Sequence, residues 1–335
     1  MLTRDLNYRL PEGLIAQRPA SPRDSSRLMV VDVQKQSIEH RVFRDLPEFL
    51  RPGDALVLNE TKVFPARLSA RRPGGGETEL LFLRDLSVKG NLWEVMARPS
   101  RRLRVGMMLS IGDEELQAVK PLGEGRWVVA GADVTGTLKR HGHIPLPPYI
   151  RATPEAEREY QTVYARDEGS AAAPTAGLHF TREVLGEVKK VGARISRVTL
   201  HVGPGTFSPV RADELTDHRM HAEHYRVPDE AARAVGDARR VVAVGTTVAR
   251  TLESWAATSI REGESELFIY PGYGWRVVDT LLTNFHLPRS TLLAMVMSFG
   301  GEDLIREAYE IALRERYRFF SFGDAMLLVG GGRAL

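Results

Sequence analysis

Residues 241–254 (VVAVGTTVARTLES) decide the fold class of this chain. Four apolar residues, 241–244, precede Gly245, and the residues after it have the apolar spacing of a helix. A buried strand that runs straight into a helix is typical of an α/β domain with a parallel sheet. The stretch therefore predicts a strand over 241–245 and a helix over 247–258.

The same alternation extends outward on both sides of this stretch. In chain order, the pattern predicts a short helix over 45–50, a strand over 54–59, a helix over 181–191 with Thr181 as N-cap, a strand over 193–203, a helix over 229–240, a strand over 277–285, a helix opened by Ser290 and a helix over 302–317.

Residues 67–134 have a different pattern. Short alternating runs (TELLFL, LWEVMA, MMLSIG, RWVVAG) are separated by turns rich in glycine and charge, which predicts about six short strands in a small antiparallel barrel. A proline-rich segment, 143–150 (HIPLPPYI), follows. We therefore predict a multidomain α+β chain, in which residues 1–64 and 152–335 form an α/β catalytic domain and residues 65–151 form an inserted all-β barrel domain.

The composition excludes several classes of protein. The 335 residues are 43% hydrophobic and 27% charged, as in folded globular proteins. There is no cysteine, which excludes iron–sulfur clusters, thiolate zinc sites, thiol nucleophiles and disulfides. The longest strictly apolar run, 292–297, is too short to cross a membrane, and the N-terminus has no apolar signal segment. We therefore expect a cytoplasmic protein without a membrane segment.

The charge is unevenly distributed along the chain. The net charge is only +3, but residues 65–151 contain 14 basic and 9 acidic residues, so the predicted barrel is basic and the rest nearly neutral. A basic module on a neutral body is compatible with a polyanionic partner.

The motifs of several common enzyme classes are missing. The sequence contains no P-loop, no G-x-S-x-G elbow and no G-x-G-x-x-G after a predicted strand. This disfavours a P-loop NTPase, an α/β-hydrolase, a dinucleotide dehydrogenase and the common type of methyltransferase. Six of the nine histidines lie after residue 170, so we place the chemistry in the α/β part.

Polar residues interrupt the apolar pattern near predicted strand ends, where open α/β sheets bind their ligands. Thr175 and His179 lie in APTAGLHFT, just before a helix, where a lone histidine is by default a loop or cap residue. His201 lies inside the apolar run VTLHVGPGTF, either as a hydrogen-bonded core residue or beside a cleft that the glycines open.

The segment DHRMHAEHY carries His218, His221 and His224. On a helix these three would spread too widely for an easy metal site. If the segment is extended, His221, Glu223 and Tyr225 share one face. A His–Glu pair for proton transfer or substrate binding fits better than a metal.

Two predicted helix N-termini carry small hydroxyl residues. Thr246 and Thr247 open one helix, and Ser290 opens another after Asn284 and His286. Free amides and the helix dipole suit such positions to a phosphate or carboxylate, although simple capping needs only one hydroxyl. The polar residues Asn59, Thr61, Lys62 and Arg67 stand where the N-terminal part meets the predicted barrel.

Taken together, these segments resemble one family, the S-adenosylmethionine:tRNA ribosyltransferase-isomerases of queuosine biosynthesis. The segments that carry the resemblance are LPEGLIAQRP, PGDALVLNETKVFPARL, LPPYI, YQTVYA, APTAGLHFT, VTLHVGPGTF, DHRMHAEHY, VGTTVARTLES, FIYPGYGWRVVDTLLTNFHLP and YRFFSFGDAML. The chain departs from some members at Val248, and it matches least over 71–134.

The resemblance implies an α/β catalytic domain with an inserted barrel and an unusual use of S-adenosylmethionine. The ribosyl carbons, and not the methyl group, are transferred to 7-aminomethyl-7-deazaguanine at the wobble position of a tRNA. The product is epoxyqueuosine in tRNA, and adenine and methionine are released. S-adenosylmethionine is a co-substrate, no metal or other cofactor is implied, and we expect a monomer.

The resemblance and the polar positions together give a hypothesis for the site. Proton transfers are assigned among His179, His201, His221 with Glu223, and His286. The methionine carboxylate or a tRNA phosphate is assigned to Thr246, Thr247 and Ser290. The nucleotide or its backbone is assigned to Asn59, Thr61, Lys62, Arg67 and Arg98, and the remaining substrate-binding residues are Thr175, Thr206, Tyr270 and Asn284.

Two other functions stay open at this point. One is a tRNA-binding protein that has kept the scaffold and lost catalysis, and the other is a nucleotide hydrolase that uses the histidines with a metal. Retained tRNA affinity without adenine release favours the first, and activity that survives chelation eliminates the second.

Overall fold

The structure is a computed structural model that describes residues 1–87, 91–203, 210 and 212–333. Its strands are β1 Arg27–Asp32, β2 Ser37–Val42, β3 Asp54–Asn59, β4 Thr61–Val63, β5 Arg67–Arg72, β6 Gly76–Asp85, β7 Leu92–Arg98, β8 Met108–Ile111, β9 Glu114–Gly123, β10 Arg126–Ala130, β11 Asp167–Ser170, β12 Arg194–Leu200, β13 Glu223–Arg226, β14 Arg240–Val244, β15 Glu262–Ser265, β16 Thr280–Asn284 and β17 Ala325–Val329. Its α-helices are α1 Val134–His141, α2 Pro154–Glu159, α3 Arg182–Lys190, α4 Asp229–Gly236, α5 Thr246–Thr258, α6 Thr291–Gly300 and α7 Glu302–Arg314.

A mixed sheet forms the centre of the α/β part, with the strand order β15-β13-β12-β3-β14-β16-β17-β1-β2. Its middle strands β12, β3, β14 and β16 are parallel neighbours. Every residue of β3 and β16 is buried, because helices cover both faces of the sheet. The predicted buried strand over 54–59 and the α/β class are confirmed.

Two apolar cores lie on the two faces of this sheet. On one face, α5, α6 and α7 contribute Leu252, Leu293 and Ile305. On the other, α3 contributes Val188 and a 3-10 helix, Phe43–Phe49, contributes Leu46. The sheet is therefore held between layers, and its strand ends are the places open to a ligand.

Strands β5 to β10 close into a barrel in the order β10-β7-β6-β5-β8-β9, with its own core that includes Phe82, Val95 and Val129. The predicted antiparallel barrel is confirmed. The chain enters and leaves the barrel at adjacent points. The Arg67 amide donates to the His143 carbonyl at 3.1 Å, and the His143 amide donates to the Arg67 carbonyl at 2.8 Å. An insertion between two such adjacent points leaves the α/β sheet undisturbed.

Several predicted element bounds were wrong. The helix over 229–240 ends at Gly236, and Arg240 begins β14 instead, because its guanidinium binds Asp54 in two places (3.0 and 2.5 Å). The strand over 277–285 is reduced to β16, since the amides of Val277 and Val278 donate to the buried Glu253 carboxylate at 3.0 and 3.1 Å. Tertiary contacts override the local pattern at these ends.

Two predicted helices also changed. The helix over 45–50 is the 3-10 helix Phe43–Phe49, which has Pro47 inside it. The helix over 302–317 ends at Arg314, and Arg316 adopts a φ of 56°.

Within the described part of the chain, none of the helices has the length and apolar character needed to span a membrane.

Candidate active site

A cleft opens at the carboxyl ends of β12, β14 and β16. Its location is the one that parallel sheets favour for ligand binding. The residues that line it are Tyr149, Ala173, Pro174, Thr175, Ala176, Val202, Gly245, Thr246, Thr247, Thr283, Asn284, Phe285, His286, Leu287, Ser290, Leu292, Phe320 and Ser321.

A chain of hydrogen bonds fixes the orientation of Asn284 in the cleft. The Thr175 hydroxyl donates to Asn284 Oδ1 at 2.9 Å, and Asn284 Nδ2 lies 3.2 Å from His179 Nε2. His179 Nδ1 lies 2.8 Å from the Ser26 hydroxyl. An amide nitrogen can only donate, so His179 Nε2 accepts and its proton is on Nδ1. The amide of Asn284 is therefore held by groups on both sides.

His179 lies behind Asn284 and does not line the cleft. It is buried and stacks on Phe43 with ring centroids 4.9 Å apart. Burial, with the nearby Arg318 and Arg23, lowers the pKa of His179 to about 3. The imidazole is thus neutral at pH 7, and its geometry is that of a residue that positions Asn284.

His286 is the predicted catalytic histidine that lines the cleft. Its Nε2 lies 2.7 Å from the Thr283 hydroxyl, and its amide donates to the Tyr309 hydroxyl at 2.9 Å. The Tyr8 hydroxyl donates to its carbonyl. Burial lowers the pKa of His286 to about 3, so its imidazole is also neutral at pH 7.

Two helix N-termini meet at the cleft. Helix α5 presents Thr246 and Thr247, and helix α6 begins after Ser290. The Ser290 hydroxyl accepts from the Leu293 amide at 3.2 Å and donates to the Leu287 carbonyl at 2.7 Å. Ser290 is therefore the N-cap that the sequence predicted, and both of these bonds use its hydroxyl. The hydroxyls of Thr246 and Thr247 on α5 have fewer hydrogen-bond partners among the described residues.

Asn59 lies at the end of β3 and links three elements. Its Nδ2 donates to the Leu200 carbonyl at 3.0 Å and to the Thr247 hydroxyl at 3.4 Å. Its Oδ1 accepts the amides of Thr61 and Leu200, both at 3.1 Å. These contacts use its donors and its acceptor oxygen, so the geometry gives Asn59 a role in holding the strand ends.

Glu223 forms a buried ion pair with Arg250 of α5. Its Oε1 also accepts the Gly203 amide at 2.8 Å. Burial lowers the pKa of Arg250 to about 10, which leaves the guanidinium charged at pH 7. His221, the predicted partner of Glu223, is exposed, and burial together with the charge of the nearby His221 lowers the pKa of His218.

His201 lies just beyond the end of β12 and does not line the cleft, although its neighbour Val202 does. Its Nδ1 is 2.8 Å from the Thr61 hydroxyl, and its ring stacks on His224 at 6.1 Å. Burial is the main cause of the lowered pKa of His201, which Asp167 partly offsets.

The remaining predicted residues are dispersed. Lys62 pairs with Glu168 at 2.5 Å, and Arg67 donates to the Leu146 carbonyl at 3.2 Å, both at the junction with the barrel. Arg98 is exposed at the far end of β7. Tyr270 packs against Phe268 at 5.1 Å and does not line the cleft. Thr206 lies outside the described residues.

The sequence reasoning missed several polar residues at or beneath the cleft. Tyr149 and Ser321 line it and share a hydrogen bond of 2.8 Å. Both belong to segments quoted for the resemblance, LPPYI and YRFFSFGDAML, which was the available signal. Arg250 belongs to another quoted segment, VGTTVARTLES, whereas Ser26 had no such signal; the roles of both depend on partners far away in the sequence. Among the described residues, no group of three acidic, histidine or cysteine side chains is placed to hold a metal.

The fold and this polar cleft are those of a multidomain α/β protein that carries a closed barrel and a candidate active site at its strand ends. The chain belongs to the family described as "Queuosine biosynthesis protein", which matches residues 3–328. The resemblance drawn from the motifs is thereby confirmed.

Individual relatives carry the same name along their full length. An S-adenosylmethionine:tRNA ribosyltransferase-isomerase of Rubrobacter xylanophilus is 70% identical, covering 100% of both chains, and that of Moorella thermoacetica is 49% identical, covering 98% of this chain and 100% of its own. The crystal structure of the S-adenosylmethionine tRNA ribosyltransferase of Thermotoga maritima matches with a TM-score of 0.57 and 38% identity, covering 97% of this chain and 100% of that one. These matches confirm the prediction of a transferase and isomerase, and they do not support the alternative of a binding protein without catalysis.

Proposed function

We propose that this chain transfers and isomerises the ribosyl moiety of S-adenosylmethionine onto 7-aminomethyl-7-deazaguanine at the wobble position of a tRNA. Epoxyqueuosine-tRNA, adenine and methionine are the products. The observation that carries the proposal is the cleft at the carboxyl ends of β12, β14 and β16, with Thr175, Asn284 and His286 on its wall, in a chain that matches ribosyltransferase-isomerases from end to end.

The methionine carboxylate binds at the N-terminus of α5 in this proposal. Thr246 and Thr247 line the cleft there, and the free amides of a helix N-terminus favour an anion. Ser290 contributes through the neighbouring α6 terminus, which its own hydroxyl caps. A carboxylate held at this point places the rest of S-adenosylmethionine along the wall that carries Asn284.

The sulfonium group acidifies the adjacent ribose C–H, so transfer of this proton to a base forms an ylide, and a proton is returned to the purine as adenine departs. A base is most effective when its pKa is near the working pH. Since the pKa values of His179 and His286 are about 3, these two residues are poor proton acceptors. We assign His286 to a hydrogen bond with the substrate and His179 to the positioning of Asn284.

His201 is the better candidate for the proton of the aminomethyl group, which must be neutral to attack the ribosyl carbon. It is partly exposed and faces the side of β12 where Thr61 and Lys62 lead into the barrel. Burial lowers its pKa, and the nearby Asp167 acts in the opposite direction by stabilising the protonated imidazole. The acceptor nucleotide therefore approaches from the barrel side.

The division of the chain follows from this arrangement. Residues 1–64 and 152–335 form the catalytic domain, and residues 65–151 form a domain that orients the RNA. We further propose a cytoplasmic monomer that requires no cofactor other than its co-substrate.

Isotope labelling tests the proposed reaction. S-adenosylmethionine labelled in the ribose, and separately in the methyl group, is incubated with the purified protein and a tRNA that bears 7-aminomethyl-7-deazaguanine. We expect ribose label in the tRNA, release of adenine, and the methyl label on methionine. Methyl label in the tRNA would identify a methyltransferase, and tight tRNA binding without transfer of either label would contradict the proposed catalysis.

A further inference from the structure

The last residue of β7 and the connection from β7 to β8 carry four arginines, at the opposite end of β7 from Trp93. We infer that this arginine loop, residues 98–106 (RPSRRLRVG), binds the phosphate backbone of the RNA at a distance from the modified base. The inference rests on the proposed function, because it assigns a surface for the same RNA substrate.

The sequence around the arginine loop contains no acidic residue that could compensate its positive charge. Residues 95–112 contain no aspartate or glutamate, and Arg98, Arg101, Arg102 and Arg104 are all exposed. Four other arginines of the barrel part pair with carboxylates, namely Arg67 with Glu79, Arg84 with Glu264, Arg126 with Glu94 and Arg140 with Glu114, whereas Arg71 and Arg72 of β5 form no ion pair within the described residues. Within the described part of the chain, none of the four loop arginines forms an ion pair. Glu79 lies opposite Arg98 in the β6–β7 register, which leaves Arg101 and Arg102 as the least compensated pair.

The conformation of the loop does not depend on Arg101 and Arg102. Leu103, between these arginines and Arg104, is buried in the barrel core. The Leu103 amide donates to the Ser100 carbonyl at 3.0 Å, and the Arg104 guanidinium donates to the carbonyls of Arg101 and Leu103 at 2.9 and 2.8 Å. An apolar anchor and backbone contacts therefore hold the loop, while two guanidinium groups stay available to a ligand.

The distance from the junction decides the kind of ligand. Trp93 of β7 packs on Phe64 at the junction, with ring centroids 5.7 Å apart. Arg98 lies five residues further along β7, about 17 Å from Trp93 at the usual strand rise, and Arg101 and Arg102 follow it. None of these arginines lines the cleft, so a nucleoside or S-adenosylmethionine bound there cannot reach them. A folded RNA can, because its stems present phosphates along their whole length, and arginine binds phosphate in two-pronged fashion.

Substitution of the two least compensated arginines tests the inference. The variant R101Q/R102Q removes two charges from exposed positions, and K189Q/K190Q removes two exposed charges at the end of α3 as the matched control. The dissociation constant for the tRNA is measured by fluorescence anisotropy between 50 and 200 mM KCl, together with steady-state kinetics. Each phosphate contact contributes about 0.7–0.9 to the slope of log K against log salt, so we expect R101Q/R102Q to lower that slope by about 1.5 and to weaken binding about tenfold at low salt.

The other measurements separate this inference from the proposed function. We expect R101Q/R102Q to keep the KM for S-adenosylmethionine and the kcat at saturating tRNA, K189Q/K190Q to bind like wild type, and the charge-preserving R101K/R102K to restore most of the salt slope. Unchanged tRNA affinity and slope in R101Q/R102Q, with wild-type ribosyl transfer intact, would overturn the inference and leave the proposed function standing. If wild type transfers no ribosyl group, the proposed function fails, and the anisotropy still decides whether the loop binds RNA.

An anionic membrane is the competing ligand for this surface. Val105 and Met108 are exposed beside the arginines, and basic surfaces with apolar side chains also bind acidic lipids. Sedimentation with phosphatidylglycerol vesicles provides the comparison. Loss of vesicle binding in R101Q/R102Q with unchanged tRNA affinity would assign the loop to a lipid surface and overturn the inference.

Discussion

At the scale of single residues, two imidazoles are kept neutral by their surroundings. The pKa values of His179 and His286 are both lowered to about 3, with burial as the largest cause. A neutral imidazole offers one donor and one acceptor nitrogen. In His179 the acceptor faces the Asn284 amide, and protonation would replace that attraction with two opposed donors. The same desolvation that makes these residues poor bases makes them stable hydrogen-bond partners.

Substitution of His286 distinguishes a hydrogen-bonding role from acid–base catalysis. We expect H286A to lower kcat/KM at least 100-fold, because the Thr283 hydroxyl and the substrate lose their partner. We expect kcat/KM of H286Q to be about tenfold higher than that of H286A, since a glutamine amide can both donate and accept a hydrogen bond. The measurement is kcat/KM for ribosyl transfer from pH 5.5 to 9. If H286Q removes an ionisation that wild type shows, His286 carries a proton and this assignment is wrong.

At the scale of secondary-structure elements, α5 connects the cleft to two buried carboxylates. Thr246 and Thr247 line the cleft, Arg250 one turn on pairs with Glu223 of β13, and Glu253 accepts the amides of residues 276–278 at 3.0 to 3.1 Å. Each carboxylate ties the helix to a separate part of the chain. The position of the α5 N-terminus, and with it the cleft, depends on these contacts.

Removal of one partner of the buried pair is expected to destabilise the fold more than removal of both. Because E223Q leaves the Arg250 charge without its carboxylate, we expect it to lower the free energy of unfolding by about 3 kcal/mol. We expect the double variant E223M/R250M to regain at least half of that loss, since a well-packed apolar pair avoids the desolvation of both charges. Urea unfolding of E223M, R250M and E223M/R250M gives the coupling energy, and E223Q is measured beside them.

The same variants test the role of Glu223 in the reaction. If Glu223 acts only through α5, E223M/R250M keeps measurable ribosyl transfer with a raised KM for S-adenosylmethionine. A stable E223M/R250M protein whose kcat is abolished would instead support the original hypothesis that Glu223 takes part in proton transfer.

At the scale of the whole molecule, the buried histidines link folding to pH. In the unfolded chain a histidine binds a proton with a pKa near 6.5, whereas His179 and His286 in the folded state do so only near pH 3. Between these values the unfolded state binds more protons, so stability is complete above pH 6.5 and falls as the pH is lowered.

The pH dependence of unfolding is expected to decrease when one of these histidines is replaced. A shift of 1.5 pH units below 6.5 corresponds to about 2 kcal/mol for each histidine at pH 5. We therefore expect the loss of stability between pH 7 and pH 5, measured by urea unfolding, to be about 2 kcal/mol smaller in H179Q than in wild type. The exposed His221 is the control, and H221Q should keep the wild-type dependence. If the free energy of unfolding of wild type and H179Q changes equally between pH 7 and pH 5, folding does not lower the pKa of His179 and this expectation is wrong.

Much of the fold was predictable because its signals are local. The buried run at 54–59 became β3, Thr181 and Ser290 became N-caps, and the short alternating runs became the barrel. A cap depends on a side chain and an amide three residues away, and strand pairing in a meander depends on neighbouring turns. The wrong bounds at Arg240 and Val277 lie where side chains distant in sequence hold the backbone.

The candidate site was likewise predictable only in part. The sequence by itself determined the kinds of polar residue that the α/β part presents, the absence of cysteine chemistry, the family, and Thr175, Asn284 and His286 as residues worth selecting. Only the tertiary structure decided that these three share a cleft, that His179 stands behind it, that His201 lies outside it beside Thr61, and that Glu223 pairs with Arg250. The physical reason is that periodicity reports the environment of a segment, whereas the register and packing of elements far apart in the chain set which side chains face one another.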